Sequence, residues 1–127
     1  MEQTTHTSHN LEYETKDCNV QFSSLMNLLI IKGKLSSQII RERFGSLKQK
    51  LNKHFEESET LNIYLNLDVQ DMRVSNYFLE LAHLLNKKKS DGKKVKIYWR
   101  EQQDLYSQRL EQEFKKLLNC EFQLCNI

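Results

Sequence analysis

Between Leu61 and Lys89 the apolar period of the chain changes, and that change restricts the fold more than any other feature of the sequence. Residues 61–69 read LNIYLNLDV. Leu61, Ile63, Leu65, Leu67 and Val69 alternate with polar side chains, which places all five on one face of a strand. After QDMR the spacing becomes three and four. Val74, Tyr77, Phe78, Leu81, Leu84 and Leu85 then form one stripe of a helix. Asp71 stands where that helix should begin and is a candidate N-cap. The helix should end in the lysines before Ser90-Asp91-Gly92, where glycine accepts a positive φ. KVKIYW follows as a second strand. Strand, helix and strand in this order predict a right-handed βαβ unit, with its strand-to-helix turn at residues 69–76 as the place for a binding or switch site.

The flanking segments extend this pattern. Residues 1–17 are polar and aperiodic and are expected to form a flexible N-terminal segment, leaving 18–127 as a single domain. Asn19–Phe22 and Leu25–Lys32 are β candidates with a break near Ser23–Ser24, and Gly33 is expected to close the second. Ser36 and Ser37 are candidate N-caps for a helix from Ser37 to about Glu57, whose stripe is Ile40, Phe44, Leu47, Leu51 and Phe55. A third stripe comprises Leu105, Tyr106, Leu110, Phe114, Leu117 and Leu118. Glu121–Cys125 is a short closing strand.

The expected order is therefore β-β-α-β-α-β-α-β. Val95, Ile97 and Trp99 alternate with Lys94, Lys96 and Tyr98, whereas a parallel sheet covered on both faces shows continuous apolar runs. The pattern predicts a mixed α/β fold with a sheet of four to five strands and about three helices on one face. The other face stays polar.

Over Gly33–Phe122 the chain resembles the SiaC-type regulatory phosphoproteins, which are STAS-like and related in fold to the anti-sigma-factor antagonists. The resemblance is carried by NIYLNLDVQDMRVSNYFLELAHLLNKKKSDGKKVKIYWR, by the upstream GKLSSQIIRERFGSLKQKL and by the downstream EQEFKKLLNCEFQL. It implies a non-enzymatic bacterial module that binds a regulatory partner, namely a diguanylate cyclase, a kinase or a phosphatase, with phosphorylation at a helix start preventing the contact. A phosphate there adds close to two negative charges within the footprint of a partner. The family's switch reads Asn-Thr-Ser-Ser, and the antagonists have Asp-Ser-Ser-Gly. The matching positions here are Asp71, Met72, Arg73 and Val74. Met72 thus occupies the phosphoacceptor position and cannot be phosphorylated. Ser75 is the next hydroxyl and the candidate acceptor, set against a plain surface serine.

The candidate partner-binding residues are Asp71, Met72, Arg73, Ser75 and Asn76. Helix capping alone explains Asp71, whereas Met beside Arg is a common composition at the centre of interfaces. No catalytic residues are assigned, because GxGxxG, GxxxxGK[ST], HExxH and GxSxG are absent. No cofactor is implied. His6 and His9 are three apart but lack a helical context, and Cys18, Cys120 and Cys125 contain no CxxC pair, so no metal site is assigned. Net charge is only +2, and the lysines around Lys87–Lys94 suit a helix C-terminus better than nucleic acid. No apolar run spans a bilayer and no secretory pattern opens the chain, so a cytoplasmic protein without a membrane partner is expected, as a monomer or weak homodimer. The alternative function is a small-molecule-binding or enzymatic domain using the polar sheet face around Tyr64, Asn66 and Tyr98.

Overall fold

The computed structural model describes residues 10–69, 72–100, 102–118 and 122–124, the last by backbone alone. The elements in chain order are β1 (Leu11–Glu14), β2 (Cys18–Ser23), β3 (Leu28–Leu35), α1 (Ser37–Glu57), β4 (Thr60–Val69), α2 (Met72–Ser90), β5 (Lys94–Trp99), α3 (Leu105–Leu118) and β6 (Phe122–Leu124). They build one six-stranded sheet in the order β1-β2-β3-β4-β5-β6. The first three strands pair antiparallel and β3 to β6 pair parallel. Each parallel connection carries one helix and steps in the same direction across the sheet. Right-handed crossovers then place all three helices on one face, as the alternation predicts.

That face holds the core. Every second residue of β4 is buried, from Leu61 through Val69, and Val95, Ile97 and Trp99 do the same on β5. Above them Phe44 of α1 meets Phe78 of α2 edge-on at 6.0 Å, and Trp99 packs on Phe114 of α3 at 5.5 Å. Ser36 caps α1 by accepting a hydrogen bond from the Ile39 N–H at 3.3 Å. Gly92 ends α2 with φ +91°.

Three expectations are corrected. Part of the expected flexible segment, Leu11–Glu14, forms edge strand β1, with Leu11 and Tyr13 half-buried; four residues are too short a run for a period to stand out. Leu25 and Met26 are not strand but tip the β2–β3 turn, 91% and 66% exposed, with Asn27 at φ 54°. Gly33 does not close β3, which continues to Leu35 and pairs Lys34 with Asp68.

Cys18 is buried in the core, and burial first and Asp17 second push its thiol up from the ordinary value. A protonated, covered thiol is a poor nucleophile. Cys120, Cys125, His6 and His9 lie outside the described residues. Among the described residues no helix is long and apolar enough to cross a membrane, and no cluster of three His, Cys, Asp or Glu side chains is placed to hold a metal ion.

Candidate partner-binding site

The site lies where β3, β4 and β5 end and the helices begin, the edge at which parallel sheets present ligands. Val74 and Phe78 are fully buried and fix the first turns of α2 against the sheet. The helical period then turns Met72, Arg73 and Asn76 away from the sheet. Met72 is 53% exposed, and Arg73 and Asn76 are exposed beside it. Ser75 is half-buried. Asp71 lies outside the described residues.

Four of the five expected residues therefore share one ridge, with a groove on either side. Toward α3, Met72, Ser75, Asn76 and Leu79 face Arg109 and Leu110 across a cavity of about 400 Å³. Toward α1, Arg73, Asn76 and Tyr77 face Ser37 and Arg41 across about 290 Å³. Leu105 and Tyr106, expected in the core, are 61% and 41% exposed. The capping of α3 explains the difference. Asp104 Oδ1 accepts from the Ser107 N–H at 2.8 Å, which turns Ser107 inward, and Leu105 falls out of phase with Leu110 and Phe114.

Ser107 was not singled out by the sequence, yet it ties the two connections together. Its Oγ donates to the Leu67 carbonyl at 3.2 Å and accepts from the Val69 N–H at 3.3 Å. The start of α3 is thus fastened to the end of β4, two residues before the turn. Ser107→Ala leaves a buried N–H and a buried carbonyl without that partner. It is expected to cost about 1–3 kcal/mol, measured by urea unfolding. Arg109, on the far wall of the groove, was also missed. The signal for Ser107 was its position three residues after Asp104, the spacing of a helix cap.

The alternative residues are placed differently. Tyr64 and Tyr98 lie on the open sheet face with their rings stacked 4.4 Å apart at 8°. Asn66 Oδ1 accepts from Gln102 Nε2 at 2.6 Å. These side chains engage one another and their neighbours.

A single mixed sheet with helices on one face, an open polar second face and an exposed helix start beside the strand ends defines a one-sided α/β module. The chain belongs to the SiaC family of regulatory phosphoproteins, whose family model matches residues 11–127. It is similar to apo-SiaC of Pseudomonas aeruginosa, with a TM-score of 0.76 and 15% identity over 92% of this chain and 98% of that one. It is also similar to SiaC of the same organism in a complex with the diguanylate cyclase SiaD, in which SiaC is described as the activator. There the TM-score is 0.75 and the identity 17%, over 90% of this chain and 97% of that one. At these identities the likeness is one of fold. No curated protein sequence matches the chain.

Proposed function

We propose that this chain is a non-enzymatic regulatory module that controls a diguanylate cyclase by binding it through the start of α2. The observation that supports this reading most directly is the exposed Met72–Arg73 pair on a ridge between two grooves. The ridge is held by Val74 and Phe78, so a partner would meet a preformed surface. An apolar side chain beside a guanidinium supplies desolvation and a directed ionic contact together, the composition of energetic centres in interfaces. The complex of Pseudomonas aeruginosa SiaC with the cyclase SiaD supports the class of partner.

Ser75 fits the phosphoprotein character of the family as the acceptor hydroxyl nearest the helix start. It lines the groove that Arg109 and Glu113 also line, so a phosphate added there would bring negative charge into the partner's footprint.

The test is binding of a cyclase recovered from the native cell with the tagged chain. Met72→Asp with Arg73→Glu is expected to weaken binding about 30-fold or more. Leu25→Ser with Met26→Ser, at the opposite end of the sheet, should leave the affinity unchanged. Equal affinity for wild type and the Met72/Arg73 variant would rule out this surface. Mass spectrometry of the recovered chain reads out phosphate on Ser75.

A further inference from the structure

Six of the chain's 19 basic residues fall between Lys87 and Lys96. Lys87, Lys88 and Lys89 occupy the last turn of α2, where the negative end of the helix dipole favours cations. The dipole does not account for Lys93, Lys94 and Lys96, which lie beyond the helix in the connection and on β5. Lys94 and Lys96 are two residues apart on one strand and project from the same face. Like charges held side by side on a sheet repel.

The fold gathers these lysines instead of dispersing them. Lys89, Lys93, Lys94 and Lys96 line one cavity of about 480 Å³, where β4 and β5 begin, together with Thr60 and Asn62. Two of the ammonium groups are fixed at its wall: Lys93 Nζ lies 3.1 Å from Glu59 Oε1, and Lys89 Nζ donates to the Leu118 carbonyl at 3.2 Å. The backbone holds the rim in place, since the Lys94 N–H donates to the Glu59 carbonyl at 2.7 Å. The net charge of +2 gives no strong field over the molecule as a whole, so attraction of an anion to this cavity rests on the local grouping of lysines. Concave shape, four ammonium groups against the single Glu59 carboxylate, and the hydrogen-bonding side chains of Thr60 and Asn62 suit clustered phosphate charge, which lysine binds as a point charge.

We propose that this cavity binds an oligophosphate anion, either free or as the phosphate chain of a nucleotide. It lies at the opposite end of the sheet from the start of α2, so the two sites are separable.

Calorimetric titration of the full chain with inorganic triphosphate, at near-physiological ionic strength, tests the assignment. Saturable binding of one anion per chain is expected. Lys93→Gln, Lys94→Gln and Lys96→Gln combined should weaken it about ten-fold or more. The charge-matched control Lys16→Gln, Lys32→Gln and Lys34→Gln should stay within about two-fold, because it removes the same charge elsewhere. A parallel titration with ATP separates the sources: equal affinity assigns binding to the phosphate chain alone, and tighter ATP binding adds a nucleoside contact. No saturable heat, or equal losses in the two triple variants, would overturn the proposal.

Discussion

Trp99→Ala is expected to destabilise the protein by about 3–5 kcal/mol, among the largest losses any single truncation in this chain should give. Trp99 is fully buried at the last residue of β5, with its ring 5.5 Å from Phe114. Truncation removes that contact and opens a cavity between the sheet and α3, where rigid elements on both sides cannot close it. The consequence should reach the candidate site. The first turn of α3 carries Ser107, which holds the end of β4. Urea unfolding gives the stability loss. Hydrogen exchange should show the Val69 amide opening faster than amides in β2, and uniform protection of both would contradict the coupling. Trp99→Phe, which keeps a ring in the space, should cost less than half as much.

Gly33→Ala should cost about 3 kcal/mol or more, although it adds a single methyl group. Gly33 has φ +112°, and a Cβ there would stand 2.1 Å from the Asp17 carbonyl oxygen and 2.9 Å from the Cys18 Cα. Both are backbone atoms, Asp17 in the β1–β2 connection and Cys18 at the start of β2, and cannot rotate aside. Moving them would break the bond from the Lys34 N–H to that carbonyl, 2.8 Å long. Gly92→Ala is the matched comparison. Its φ is +91° but nothing lies within 4 Å of the added Cβ, so only backbone strain of about 1–2 kcal/mol is expected. Thermal unfolding of the two variants side by side separates strain from collision. Equal losses would mean that the approach of Asp17 is not what requires glycine at position 33.

The elements read most directly from the sequence are those whose period repeats often enough to stand out. β4 alternates over ten residues and α2 carries its stripe over 19, and both appear with the expected faces. One polar face per strand gave the one-sided architecture. The segments that escaped are short or governed by contacts distant in sequence. β1 has four residues, and its register is set by β2. Leu25 and Met26 are apolar, yet a turn forced by the pairing of β2 with β3 leaves them exposed.

Buried polar residues were the harder class. His54 falls in phase with Leu51 and Phe55 and is fully buried. Its Nε2 is 2.8 Å from the Thr60 carbonyl and its Nδ1 3.3 Å from Ser24 Oγ. Helical phase alone could have placed it in the core, but not named those partners, because they lie on other elements. At the candidate site the sequence pointed to Met72, Arg73, Ser75 and Asn76, which lie in the first turns of α2 with Met72, Arg73 and Asn76 exposed. The opposing walls, formed by Arg109 and Arg41, depend on how α3 and α1 pack and carry no local signature.

The monotonic strand order has a kinetic consequence. Each strand after the first pairs with the strand before it in the chain, so none has to insert between two strands already paired. Every pairing then closes only a turn or a single helical crossover, and the loop-closure entropy is lost in small steps. A chain leaving the ribosome can add β4, β5 and β6 in turn to a completed β1–β3 meander, extending the sheet from one edge as synthesis proceeds.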